Sequence, residues 1–139
     1  MPAETIRELV APEKCAGRTK DSGHRKTFET GSQRDAPEGK GRYDLISPLA
    51  LRRLALVLER GAAKYMPRNW ELGQPMSQYV NSALRHIEQY LAGQRDEDHA
   101  GQAFWNLMAL VHTEEEISSR NLPASLADLP NYQKTEKKT

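Results

Sequence analysis

The sequence predicts an all-α fold, an antiparallel helical bundle that is completed by oligomerisation. Three consecutive segments carry apolar residues at helical spacing, and no segment shows the alternating pattern of a half-buried strand. Three helices joined by short loops bury little surface by themselves, so we expect a partner subunit, in a homodimer or a homotetramer.

The first predicted helix begins after Ser47, whose hydroxyl suits an N-cap, with Pro48 at the first helical position. It runs to about Tyr65 and ends before Pro67. The apolar stripe expected to face the core follows the i, i+3, i+4, i+7, i+11 series and comprises Leu51, Leu54, Ala55, Leu58 and Ala62.

The second predicted helix begins at Ser77, its expected cap, and ends before Gly93, which suits a left-handed C-terminal position. The third begins around Asp96 to Asp98, because acids favour a helix N-terminus, and continues to about Ser118. The residues expected to face inward are Val80, Ala83, Leu84, Ile87 and Leu91 on the second helix and Ala100, Ala103, Phe104, Leu107 and Val111 on the third.

The two ends of the chain differ in composition from the middle. Residues 1–37 and 122–139 are polar and lack a sustained apolar period, so we expect both segments to be flexible. Residues 38–121 form the predicted domain, which opens with an extended, glycine-flanked loop over residues 38–46.

Charge and cysteine content narrow the classes of function. The 20 Lys and Arg residues against 19 Asp and Glu residues give a formal charge of +1, which argues against a nucleic-acid partner. Cys15 is the only cysteine, so an intramolecular disulfide and a multi-cysteine zinc site are both excluded. Without a leader or a long apolar run, we expect a cytoplasmic protein and no membrane partner.

Two groups of acids are candidates for metal binding. Glu59 is followed by small residues that leave room for a ligand, and its carboxylate suits Mg²⁺; the alternative is a solvated glutamate paired with Arg60 or Lys64. The stronger cluster, at the start of the third helix, contains Asp96, Glu97, Asp98 and His99, with Gln102 and Asn106 following on one helical line. Capping explains two of the acids but not this polar line.

Other polar and aromatic side chains suit a nucleotide. In the loop after the first helix, Asn69 and Trp70 fit a purine, although Trp70 alone is better explained as a plug at the end of the bundle. Arg85 is a natural ligand for phosphate, whereas a lone histidine such as His86 is more often structural.

The loop before the first helix offers two further cations. Lys40 and Arg42 could close over a triphosphate, although the spacing of a P-loop is absent. A loop with no ligand is an equally good interpretation.

Six blocks, in one order, resemble the phage dATP/dGTP diphosphohydrolase family, sometimes called MazZ-like, which is similar to the MazG-like all-α nucleotide pyrophosphohydrolases. The resemblance covers about residues 28–117. The blocks are residues 38–46 (EGKGRYDLI), 59–65 (ERGAAKY), 68–71 (RNWE), 83–86 (ALRH), 96–99 (DEDH) and 103–106 (AFWN).

The resemblance implies a helical oligomer that cuts purine deoxynucleoside triphosphates between the α and β phosphates with Mg²⁺ or Mn²⁺, in the host cytoplasm if the gene is a phage gene. The broader superfamily carries EExxE on one helix and ExxD on the next, whereas here Glu59 stands alone. We therefore assign Glu59, Asp96, Asp98 and His99 as metal ligands, and Glu59, Glu71 and Glu97 as catalytic carboxylates. Substrate contacts fall to Lys40, Arg42, Lys64, Asn69, Trp70, Arg85, His86 and Asn106.

A rival hypothesis belongs to a different class. In it the chain is a non-catalytic adaptor whose amphipathic helices serve only to dimerise and whose polar ends bind a protein. Metal-dependent binding of a non-hydrolysable deoxynucleoside triphosphate distinguishes the two, because an adaptor should show none.

Overall fold

The computed structural model describes residues 20–133, and within them the chain forms three α-helices, three short 3-10 helices and one short β-hairpin. The α-helices are α1 (Pro48–Lys64), α2 (Met76–Leu91) and α3 (His99–Ser118). They confirm the predicted all-α class. Over the same residues, no helix combines the length and the apolar character that crossing a bilayer requires.

The chain divides into two units, with the boundary between Asp44 and Leu45. In the first unit, β1 (Arg25–Thr27) pairs with β2 (Gln33–Asp35) in an antiparallel hairpin. The expectation of no strand is wrong here, because these strands have no apolar face that would produce an alternating pattern. Polar contacts hold the hairpin instead: Ser22 Oγ donates to Asp35, 2.5 Å away, and Arg25 pairs with Asp21. Residues 1–19 of the predicted flexible segment lie outside the described residues.

The sequence predicts the N-terminal start correctly for two of the three helices. Ser47 caps α1 by accepting from the backbone N–H of Ala50, as predicted, and Asp98 caps α3 by accepting from Gly101. The prediction for α2 is wrong, since Pro75 is its N-cap and Ser77 lies within the first turn. Gly93 has the expected positive φ, at 87°.

The start of α2 receives its cap from the C-terminal segment. The carboxylate of Asp128 accepts from the Ser77 N–H at 2.9 Å and from the Ser77 hydroxyl at 2.5 Å. Nearby, Leu122 and Leu126 lie so close to Gly73 that a Cβ there would meet a Leu126 carbon at 2.9 Å. The flexibility expected for residues 122–139 stays a prediction, but residues 122–128 do support the domain, and residues 134–139 lie outside the described residues.

The core lies between α2 and α3, with α1 packed on α3. Its buried apolar side chains are few and include Leu54, Val57, Tyr79, Ala83 and Ala109. Four polar side chains are buried with them: His86, His99, Asn106 and Thr113. The core of this one chain is therefore small and partly polar.

Much of the apolar surface predicted to face inward is on the outside of the chain. Leu84, Ile87, Leu91, Phe104, Leu107 and Val111 are all exposed, with Leu91 at 85%. Leu51 and Ala55 of α1 are exposed as well. The prediction is wrong for these residues because α2 and α3 contact each other through the neighbouring small and polar positions.

Candidate functional site

A cleft of about 1210 Å³ opens in the helical unit, between α1, the α1–α2 loop, α2 and the start of α3. It is lined by charged side chains of both signs and by two indoles. The basic residues are Arg60, Lys64, Arg68, Arg85 and Arg95; the acids are Glu71, Asp96, Glu97 and Asp98; and the indoles are Trp70 and Trp105.

Two buried imidazoles lie at the end of the cleft formed by α2 and α3. His86 and His99 face each other through their Nδ1 atoms, which are 3.0 Å apart. His99 is only 1% exposed, and its Nε2 lies 2.8 Å from Asp96 Oδ1. The buried pair is thus connected to the surface through one carboxylate.

For a neutral His99, these contacts fix which ring nitrogen carries the proton. A carboxylate accepts hydrogen bonds, so His99 Nε2 carries the proton and donates it to Asp96. Neutral His99 then has a bare Nδ1, and the hydrogen of the Nδ1–Nδ1 contact must come from His86. The result is two consecutive hydrogen bonds, in which His86 donates to His99 and His99 donates to Asp96.

The pKa values of the flanking groups reflect this arrangement. Burial lowers the pKa of His86, and the neighbouring Arg85 guanidinium lowers it further. The hydrogen bond from His99 lowers the pKa of Asp96. Both shifts favour a neutral His86 and an ionised Asp96 near neutral pH.

Glu97 completes a group of three potential metal ligands with the two histidines. One nitrogen of His86, one of His99 and one carboxylate oxygen of Glu97 all lie within 4.8 Å of one another. The Glu97 oxygen is 4.0 Å from His99 Nδ1, and its side chain is 57% exposed. Two buried imidazoles and the exposed glutamate side chain at this spacing can hold a divalent ion.

Asp98 makes two contacts that stabilise the fold. Its carboxylate caps α3 and also pairs with Arg53 of α1, which ties the two helices together. The hydrogen bond from Arg53 is the main reason that the pKa of Asp98 is lowered. Its predicted role as a metal ligand stays a prediction, and these contacts already engage both of its oxygens.

The α1–α2 loop shapes the other end of the cleft. Arg68 adopts a left-handed conformation with φ of 62°, and its guanidinium donates to Glu71 Oε1 at 2.5 Å. Trp70 packs edge-on against His112, with ring centroids 4.8 Å apart, and its carbonyl accepts from the Tyr79 hydroxyl. Trp70 therefore supports the bundle and lines the cleft at the same time.

The cleft brings together most of the predicted site residues. Lys64, Asn69, Trp70, Glu71, Arg85, His86, Asp96, Glu97 and Asp98 all line it. His99 lies directly behind this wall, since it contacts His86 and Asp96.

Four predicted residues are placed elsewhere. Glu59 is exposed and does not line the cleft. Asn106 is buried and donates to the Gln102 carbonyl of its own helix at 2.8 Å. Lys40 and Arg42 lie in the first unit, where they pair with Asp35 and Asp44. The roles predicted for these residues stay predictions.

Sequence reasoning missed several residues of the cleft. Arg60, Arg68 and Arg95 were not expected as ligands, although α1 spacing already places Arg60 one turn before Lys64. Trp105 was also missed as a site residue, because it lies on a helix whose apolar residues were assigned to the core. A closer count of cations flanking the loops would have found Arg68 and Arg95.

Comparison with known families gives one match. The family model described as dATP/dGTP diphosphohydrolase, N-terminal, matches residues 30–120, which is more than half of the chain. The chain therefore belongs to this family. No curated protein and no solved structure gives a significant match.

Proposed function

We propose that this member of the dATP/dGTP diphosphohydrolase family hydrolyses purine deoxynucleoside triphosphates to the monophosphate and pyrophosphate, with a divalent metal ion. The observation that carries the proposal is the cleft, which joins a basic wall, two indoles and an acidic rim in one space. Its volume of about 1210 Å³ is ample for a nucleotide.

The basic wall suits the triphosphate. Arg60 and Lys64 approach from α1, Arg85 from α2 and Arg95 from the α2–α3 loop. A triphosphate carries about four negative charges, and guanidinium groups bind phosphate oxygens in pairs. The β and γ phosphates would lie against these cations and leave together as pyrophosphate.

The indoles suit a purine. Trp70 and Trp105 both line the cleft, and each is held by another ring: Trp70 by His112 and Trp105 by Tyr79, whose centroid is 6.2 Å away. Rings held in this way present a fixed face on which a base can stack. The amide of Asn69, in the same wall, would meet the polar edge of the base.

Hydrolysis requires a water, a proton acceptor and neutralised phosphate charge. The oxygen of water forms a bond to the α phosphorus, and the bond from that phosphorus to the oxygen bridging to the β phosphate breaks. Glu71 is the proton acceptor we propose, because Arg68 fixes Oε1 while Oε2 makes no hydrogen bond within residues 20–133.

The acids at the start of α3 fit a hard divalent cation. Asp96 and Glu97 are exposed, with side chains 70% and 57% accessible, so both can reach a Mg²⁺ or Mn²⁺ ion that arrives with the triphosphate. When bound, such an ion neutralises phosphate charge and polarises the α phosphoryl group.

We also propose that two copies of the chain associate through the outer face of α2 and α3. Val80, Leu84, Ile87 and Leu91 repeat at intervals of 4, 3 and 4 residues, and so do Ala100, Phe104, Leu107 and Val111. Two stripes of this kind on adjacent antiparallel helices form one apolar surface, and a second copy would complete a four-helix bundle. A homodimer is the smallest assembly that covers the surface; a tetramer would require a second contact.

Product analysis tests the proposed reaction. The protein is incubated with each of the eight common nucleoside triphosphates and Mg²⁺, and the products are separated by chromatography. We expect monophosphate and pyrophosphate from dGTP or dATP. Release of orthophosphate or of intact tripolyphosphate would overturn the reaction, and absence of any turnover together with no metal-dependent nucleotide binding would favour the adaptor hypothesis.

A further inference from the structure

The two buried imidazoles are unusual for a site that only has to hold a triphosphate. His86 is 8% exposed and His99 is 1% exposed, so neither can lie flat against a bound nucleotide. Their Nδ1 atoms are 3.0 Å apart. Two imidazole nitrogens that bind the same ion at about 2.0–2.1 Å are separated by about 3 Å, so the pair already has the spacing of two ligands of one ion.

We propose that His86, Glu97 and His99 form a resident binding site for a first-row transition-metal dication, with Asp96 orienting His99. The site shares Glu97 with the acids proposed above for Mg²⁺, but it differs from that site in its two buried imidazole ligands. Its metal binding can be tested separately from the proposed hydrolysis, because a resident ion at this position would bind in the absence of nucleotide.

The donor set selects the class of ion. Mg²⁺ takes oxygen ligands and retains several waters, whereas imidazole suits the later first-row dications, from Fe²⁺ to Zn²⁺. Two of the three ligands here are imidazole nitrogens, and only Glu97 supplies oxygen. The affinity should therefore rise from Mg²⁺ through Mn²⁺ and Co²⁺, with Zn²⁺ also well above Mg²⁺.

Asp96 acts on the site through His99. A histidine that binds a metal through one ring nitrogen usually donates its other N–H to a carboxylate, which fixes the orientation of the ring. His99 does this already, with Nε2 2.8 Å from Asp96 Oδ1 and Nδ1 aimed at His86. The bare Nδ1 of His99 is thus ready to bind an ion.

Only one proton has to move when the ion binds. In the metal-free chain, His86 carries its proton on Nδ1 and donates it to His99. Binding requires the other neutral tautomer of His86, with the proton on Nε2, and no proton on Nδ1 of either ring. Glu97, whose carboxylate oxygen is 4.0 Å from His99 Nδ1, would close the site from the exposed side by rotating its side chain towards the pair.

Calorimetric titration of the metal-free protein with Mg²⁺, Mn²⁺, Co²⁺ and Zn²⁺ tests the site directly. We expect one ion per chain and at least about tenfold tighter binding of Co²⁺ and Zn²⁺ than of Mg²⁺. Glu97→Gln should weaken Co²⁺ binding about tenfold or more, and Asp96→Asn by about 10- to 100-fold. Glu114→Gln, the same change at an exposed position late in α3, should have no effect. Equal affinity for Mg²⁺ and Co²⁺, or equal binding by Glu97→Gln and wild type, would overturn the proposal.

Long-range ¹H–¹⁵N NMR of the imidazole rings avoids variants that would disturb the buried pair. On addition of Zn²⁺ to the wild-type protein, the Nδ1 signals of both His86 and His99 should shift; Nε2 of His99 should remain protonated, and Nε2 of His86 should become protonated. Zn²⁺ binding that shifts only Nε2 signals, or only the rings of His24 and His112, would place the ion elsewhere. Hydrolysis with Mg²⁺ alone, without Zn²⁺ or Co²⁺ binding at these rings, would leave the proposed reaction intact and remove this site.

Discussion

The two faces of α3 have opposite chemistry and opposite surroundings. The inward face carries His99 and Asn106, both buried, whereas the outward face carries Phe104, Leu107 and Val111, all exposed. In an isolated globular chain the apolar face of a helix covers the core. The reversal shows that apolar patterning alone does not locate the core of one chain, and it separates a face suited to chemistry from a face suited to association.

The largest effect we expect lies on the cleft side. Glu71→Gln keeps the size of the side chain but removes the proposed proton acceptor, so turnover of the preferred deoxynucleoside triphosphate should fall by about 100-fold or more. Steady-state assays of pyrophosphate release at saturating Mg²⁺ measure this. Glu114→Gln should retain wild-type turnover. If Glu71→Gln keeps more than about a third of the activity, Glu71 is not the base.

The proposed dimer contact on the outer face of α2 and α3 is tested by introducing a charge at its centre. Leu107→Glu would bury an unpaired carboxylate in the proposed dimer, which should weaken association by about 100-fold or more. Sedimentation equilibrium over a range of protein concentrations reads this directly. The matched control is Gln78→Glu, the same change in charge at an exposed position of α2 outside the apolar stripe. A wild-type chain that remains monomeric at all concentrations would disprove the dimer.

A substitution pair separates capping from metal binding at Asp98. Asp98→Ala removes the N-cap of α3 and the partner of Arg53, and should reduce the free energy of unfolding by about 1–2 kcal/mol. Asp98→Asn keeps a good cap, so it should cost less than half as much. Chemical denaturation measures both changes. A variant Asp98→Asn that is stable but has lost metal binding would instead support the predicted role of Asp98 as a ligand.

The smallest effect concerns Asp128, the cap of α2. Hydrogen bonds from Ser77 lower the pKa of this carboxyl below its usual 3.8. The folded state therefore binds its proton less tightly than the unfolded state, and the stabilisation is present above the unfolded pKa and lost as pH falls through the lowered folded pKa. Melting temperatures between pH 5 and 3 should fall less steeply in Asp128→Asn than in wild type. Parallel slopes would show that the cap does not form in solution.

Local sequence was sufficient for most of the fold. Ser47 and Pro48 define the start of α1, and Gly93 the end of α2, because each acts through its own backbone geometry. The cap of α2 was missed because its acceptor, Asp128, is 51 residues from Ser77 in sequence. The hairpin was missed because its strands have no buried face.

The site was predictable in composition but not in geometry. The polar line from His99 along α3 signalled an inward polar face, and the cleft does gather the loop, α2 and the α3 start. The contact between His86 and His99 depends on how α2 packs on α3, which spacing along either helix does not encode. The predicted roles of Asp98 as a metal ligand and of His86 as a substrate contact were based on residue type and stay predictions.

The contacts of Asp98 restrict which residue can occupy position 101. Gly101 lies in the first turn of α3 and is buried, and a Cβ built there would come within 2.7 Å of the Asp98 carboxyl carbon. In a helix, alanine is usually more stable than glycine by about 1 kcal/mol. Substitution of this glycine by alanine would therefore be expected in related sequences if nothing else constrained the position. Here the added methyl would push aside the carboxylate that both caps α3 and holds Arg53 of α1. Related sequences that keep an aspartate three residues earlier should therefore keep glycine, and the two positions should change together.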